Sequence, residues 1–268
     1  MLVTIRRLLH TERMRLLVLS GAMALWFLLV MALVRGMAAD ISAQSQMFGS
    51  SITKGFGIGS LATPDSLLAQ MAAVSFNHPI VLAIVGAVTV AFGARACQGE
   101  LAQGTLDVTL GHSLSRSRYL LGYVVVIAVS VVVLMSVAWA AMIGFDHLLG
   151  VPGTLDPARA AITCANGAAV FFSFGAIALL VSVLLGRRGN ATFVTLGILV
   201  AMYATTFAER ISSSSILDVL GPISVFHWFD PSATLLGTMP SVADYVVPLA
   251  SAAACVVVAL WRFERRDL

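Results

Sequence analysis

Residues 119–143 read YLLGYVVVIAVSVVVLMSVAWAAMI, a helix-length run without one charged side chain. A hydrocarbon core about 30 Å thick is crossed by about 20 mostly apolar residues in a helix. In that medium only helices and closed barrels pair every backbone polar group internally. The stretch therefore predicts a membrane-spanning helix. Outward from it lie five more of the same kind: Leu16 to Val34, Gln70 to Ala94, Ala158 to Leu185, Ala191 to Ala208 and Val242 to Trp261. The second is interrupted by Asn77-His78-Pro79, which predicts a proline kink.

Composition agrees with this reading. Of 268 residues 59% are hydrophobic and 11% charged, with a mean hydropathy of +0.95, which excludes a water-soluble enzyme. Six spans leave no stretch long enough for a folded soluble domain, so a single all-α membrane domain is expected over residues 1–268. The first apolar run is long and has no small-residue cleavage site, so it is read as a span. Cys97, Cys164 and Cys255 fall at a membrane edge and inside spans, where they read as packing residues.

Basic residues orient the spans. The start (Arg6, Arg7, Arg13, Arg15), the loop after span two (Arg95, Arg116, Arg118), the turn Arg187-Arg188 and the tail (Arg262, Arg265, Arg266) share one side. Only Arg35, Lys54, Arg159 and Arg210 fall on the other. The asymmetry places both termini in the cytoplasm. The loop 95–118 is then the longer of the two cytoplasmic connections and the place for a soluble partner to dock.

Two further elements are expected. Leu2, Ile5 and Leu9 fall at helical spacing with Arg6, His10 and Arg13 on another face, the pattern of an interfacial helix over residues 1–15. Residues 209–241 contain a stretch, Ile216 to Met239, too apolar for a solvated loop, yet Asp218, Pro222, Asp230 and Pro231 forbid one continuous span. Two short helices re-entering the outer leaflet satisfy both constraints, with Trp228 and Phe229 near the outer headgroups and Tyr119 and Trp261 at the inner face.

Reactive chemistry is not legible. None of the 13 acidic residues falls well inside a predicted span, which disfavours coupling to an ion gradient. The only lysine, Lys54, stands in Thr53-Lys54-Gly55, which is no phosphate-binding loop, so ATP energy must come from another polypeptide. His10, His78, His112, His147 and His227 show no i, i+4 pair and no metal-ligand spacing. Asn166 and Thr163 read as helix-to-helix hydrogen-bonding groups. A stand-alone secondary transporter or channel stays open at this point. Transport by the chain alone, driven by an imposed ion gradient, would identify it.

The loop after span two reads Glu100-Leu101-Ala102-Gln103-Gly104-Thr105-Leu106-Asp107, continuing through Leu110 to Ser115-Arg116-Ser117-Arg118-Tyr119. This resembles the signature of ABC-2-type permeases: a Glu, then Gly-Thr-Leu-Glu/Asp, a Leu/Ser-rich stretch, and Ser-Arg before span three. The ending Phe263-Glu264-Arg265-Arg266-Asp267-Leu268 is similar to that family's usual tail. Ser113 stands where the family often has Pro, and Tyr123 where it often has Lys.

The resemblance implies a cytoplasmic coupling helix between spans two and three. Leu101, Leu106 and Leu110 would give it an apolar face, Gly104 with Thr105 an interruption, and Glu100 and Asp107 contacts to a docking ATPase, with Ser115 and Arg116 closing the element. It further implies an exporter of two permease subunits, identical or different, and two ATPase subunits that hold ATP and Mg2+. The chain itself would need no cofactor and would not be an enzyme. Cargo would pass between the permeases along spans one, two and five, and apolar composition points to a hydrophobic or amphipathic substrate. Membrane lipid is an expected partner and nucleic acid is not. One lysine against fifteen arginines suggests a bacterial source, hence a bacterial inner membrane.

Overall fold

The structure, a computed structural model, describes residues 2–37, 64–99, 115–150, 155–186, 189–212 and 215–265. The helices in chain order are α1 (Leu2–Met37), α2 (Pro64–Asn77), α3 (Pro79–Ala94) with a π-helical turn Arg95–Gly99, α4 (Arg116–Leu149), α5 (Pro157–Leu185), α6 (Ala191–Ile211), α7 (Ser215–Leu220), α8 (Pro231–Leu235) and α9 (Val242–Glu264). Two 3-10 turns, Gly221–Ile223 and Val225–Trp228, lie between α7 and α8. No strand occurs among the described residues.

Six helices are long and apolar enough to cross a membrane: His10–Gly36, Pro79–Gly99, Arg116–Leu149, Pro157–Leu185, Ala191–Ile211 and Val242–Glu264. Polar caps start them. Ser115 opens α4, Asp156 precedes Pro157 of α5, Asn190 opens α6, and Ser241 with Asp244 forms a capping box on α9. Gly150, at φ 56°, closes α4 in the left-handed conformation that glycine adopts without a Cβ penalty.

The spans divide into a core and a surround. In their most apolar windows α3 and α5 are each 67% buried, against 28% for α1, 22% for α6 and 17% for α9. Small residues let the core helices close. A Cβ on Gly93 would lie 2.6 Å from Ala178 Cβ and 2.8 Å from Leu179 N, so only glycine permits this crossing of α3 on α5.

Several boundaries differ from those expected. The interfacial helix over residues 1–15 is not separate, because α1 runs unbroken from Leu2 to Met37. No Gly or Pro precedes Gly21, and Glu12 pairs with Arg15 across one turn, so nothing ends the helix at the membrane edge. The kink in span two is a full break: α2 ends at Asn77, and His78 caps α3 with Pro79 at its first position. α4 continues through the expected turn to Leu149, which places Asp146 within a helix and 7% exposed.

The segment before the last span is broken into short helical pieces, as its prolines and aspartates require. It packs more deeply than expected. Phe229 is enclosed by protein, 1% exposed. It belongs to a series of rings running Phe27, Phe76, Phe229, Phe171, Phe174, Phe226, Tyr203, with centroids 5.2–6.0 Å apart. That series ties α1, α2, α5 and α6 to the hairpin. Tyr119 is likewise interior, its hydroxyl donating to Ala96 O at 3.0 Å, while Trp261 is 52% exposed beneath the Arg265 guanidinium, 4.5 Å away.

Candidate functional site

The loop singled out by its sequence leaves the bundle at Gly99 and returns at Ser115. Glu100, Leu101, Gly104, Thr105, Leu106, Asp107 and Leu110 lie outside the described residues, whereas Ser115 and Arg116 lie at its root. Ser115 Oγ accepts from Arg118 N at 3.4 Å and so starts α4. Arg116 Nη1 donates to Glu264 O at 3.3 Å, and Ser117 Oγ donates to the Glu264 carboxylate. The returning strand of the loop is thus fastened to the end of α9.

The leaving strand is fastened more tightly. A π turn shifts the helical hydrogen-bond register, which leaves backbone groups to be answered from outside the helix. Ser182 of α5 answers them: its hydroxyl donates to Ala94 O at 2.7 Å and accepts from Cys97 N at 3.2 Å and Gln98 N at 3.0 Å. The Gln98 side chain reaches on to α6, donating to Gly189 O at 2.8 Å and accepting from Ala191 N at 2.7 Å. Arg95 forms an ion pair with Glu12 of α1, whose carboxylate also meets Arg15 at 3.4 Å.

At this basic end, then, one five-residue turn is bonded to α1, α4, α5 and α6, and Tyr119 stacks on Phe263 of α9 at 6.3 Å. Among the described residues no three His, Cys, Asp or Glu gather as metal ligands. A groove of about 420 Å³ between α4 and α5, lined by Val132, Met135, Ser136, Trp139, Cys164 and Ala168 among others, offers no charged group.

Sequence reasoning missed Glu12, Arg95, Gln98 and Ser182. Glu12 had a signal, being the one acid among Arg6, Arg7, Arg13 and Arg15. Ser182 had none, because a serine inside an apolar span reads like any small packing residue. Asn166 does join two helices, donating to Asp244 O of α9 at 2.8 Å. Thr163 does not, since its hydroxyl turns back to Arg159 O of its own helix at 2.9 Å.

The opposite end carries a second polar cluster, built on the last turns of α6. Glu209 meets His227 Nδ1 at 3.0 Å, Arg210 Nη2 donates to Phe229 O at 3.0 Å, and Thr206 donates to Ser224 Oγ at 2.8 Å. Gly221 leaves the space that the Glu209 carboxylate fills.

A family model described as ABC-2 family transporter protein matches residues 10–268. No curated protein matches the chain.

Proposed function

We propose that this chain, which belongs to the ABC-2 transporter family and is a multi-pass permease component of an ABC transporter, exports its cargo using a separate ATPase that docks on residues 95–118. The observation that carries this reading is the rooting of that loop: a push on it reaches α1, α5 and α6 through Arg95, Ser182 and Gln98 within one turn of helix. A loop that merely connected two spans would need no such ties. The absence of a phosphate-binding sequence around Lys54 supports a motor on another polypeptide.

In this reading the basic end faces the cytoplasm of a bacterial inner membrane. Two ATPase subunits bind ATP and Mg2+, and two permease subunits form the complex. Glu100 and Asp107 contact the ATPase while Leu101, Leu106 and Leu110 seat the coupling helix. α1 and α6 are the least enclosed of the first five spans, which suits helices that flank a pathway between subunits. The cargo is hydrophobic or amphipathic and moves outward.

The test is co-purification with the ATPase encoded beside it, followed by ATP-driven transport in proteoliposomes. Glu100→Ala combined with Asp107→Ala is expected to lower transport at least tenfold while the permease still folds. Unchanged transport, or no ATPase recovered from stoichiometric co-expression, would overturn the reading.

A further inference from the structure

The break between α2 and α3 stands at the start of the second candidate span, Pro79–Gly99. At 1.5 Å per residue, the helix from Pro79 to Arg95 spans about 24 Å. His78 is therefore about that far from the Glu12–Arg95 pair, a separation close to the thickness of a hydrocarbon core, about 30 Å. A partly exposed imidazole at the end of an apolar span is a candidate functional group.

Its protonation follows from its bonding. Nδ1 accepts from Ile80 N at 3.2 Å, so in the neutral ring the proton sits on Nε2. Among the described residues nothing accepts from Nε2. The ring lies on Trp26 of α1, centroids 4.4 Å apart and planes 29° from parallel. The Trp26 Nε1–H is enclosed and also lacks an acceptor. Two backbone acceptors at the break are engaged elsewhere: Asn77 O takes Tyr203 Oη at 3.1 Å and Ser75 O takes His78 N at 3.3 Å. Two ring donors thus stand together without an acceptor among the described residues, that of Trp26 enclosed, and native structures leave few such buried groups without a use. Next to them along α1 and α3, Leu25, Leu29 and Ile80 are 64%, 57% and 43% exposed, apolar surface within a helical turn of the two rings in sequence.

We propose that the Trp26–His78 pair is a recognition site for an amphiphile: His78 Nε2–H donates to a carboxylate or ester oxygen of its polar part, and its acyl chain lies along Leu25, Leu29 and Ile80. The pair is shared between spans one and two, and Tyr203 of span five braces the break. This deepens the exporter reading by naming the class of cargo, and rests on it only for the direction of movement.

The test uses the full chain alone, in phosphatidylcholine nanodiscs, with Trp139, Trp228 and Trp261 replaced by Phe so that Trp26 reports. Quenching is titrated with 9,10-dibromostearate, with phosphatidylcholine carrying a dibromostearoyl chain, and with dibromooctadecane, which has no oxygen. A saturable component is expected with one or both oxygenated probes and not with dibromooctadecane. Saturation by the acid alone names a free carboxylate, and by the phospholipid alone an ester-linked lipid. His78→Asn keeps a capping oxygen for Ile80 N but lacks the ring donor, and is expected to raise the half-saturating concentration about tenfold. Equal saturation by dibromooctadecane, no saturation by any probe, or an unchanged titration in a His78→Asn variant with wild-type melting temperature overturns the proposal. Because no ATPase is present, such a failure leaves the docking of an ATPase on residues 95–118 untouched, and failure of that docking leaves this binding measurable.

Discussion

Both ends of the bundle are tied by polar side chains, but in different ways. At the basic end a single π turn serves several helices, and two of its ties answer more than one backbone group: Ser182 bonds Ala94 O, Cys97 N and Gln98 N at once, and Gln98 bonds Gly189 O and Ala191 N. At the hairpin end the ties fan out from α6 alone, and Thr206, Glu209 and Arg210 each make one bond to the hairpin. Removing one group at the first end strands several buried partners. Removing one at the second strands a single partner. In the exporter reading, such a build would let the basic end move as a block while the polar ties of the hairpin end part along α6.

The largest effect is expected where the block is held by close packing. Gly93→Ala would push a methyl group against Leu179 N and Ala178 Cβ, atoms that cannot turn aside. Overpacking of this kind costs about 3 kcal/mol, read as a lowered melting temperature in detergent. Gly86→Ala on the same helix has nothing within 4 Å of the new methyl group, and is expected to be neutral or to stabilise by about 0.5 kcal/mol through helix propensity. Equal losses at the two glycines would mean that helix packing does not hold the block.

Next in size is Ser182→Ala. It leaves Ala94 O and the Cys97 and Gln98 N–H groups without their partner from α5, a loss of about 2 kcal/mol. The comparison is Ser173→Ala, at the middle of the same helix, which gives up one bond to another helix, to Pro248 O at 2.9 Å, beside one to Ala169 O of its own helix at 3.3 Å, and is expected to cost about 1 kcal/mol. Transport should fall further in the first variant than stability alone accounts for.

Much of the fold was legible because hydrophobicity over twenty residues averages out local detail. All six spans and the broken character of the hairpin followed from apolar length and from Pro222 and Pro231. What failed were the places where one partner decides the outcome. α1 continues through residues 1–15 because Arg95, 83 residues away, pairs with Glu12 and helps draw that segment into the bundle. Phe229 is buried because Phe76 and Phe171 wait for it, and its neighbour Trp228 gives no local sign of the difference. Of the candidate site, the sequence pointed to the loop and to Ser115 and Arg116 but not to the π turn that roots it. A π turn depends on an outside acceptor and donor, here Ser182, which no spacing within Arg95–Gly99 announces.

The smallest expected effects compare the two ends directly. Glu12→Gln removes the charge facing Arg95, whose side chain is 44% exposed, so screening limits the loss to about 1 kcal/mol. Glu209→Gln keeps an acceptor for His227 and the same volume over Gly221, and is expected to cost about 0.5 kcal/mol. These residues lie at opposite ends, so in the double variant the two losses in stability should add to within about 0.5 kcal/mol. Transport in the complex with its ATPase should not be additive. If the basic end drives and the hairpin end releases, weakening the drive makes the second change invisible, because the slow step no longer lies at the hairpin. Additive transport defects would mean that the two ends act independently, and the division into a driven block and a releasing clasp would have to be abandoned.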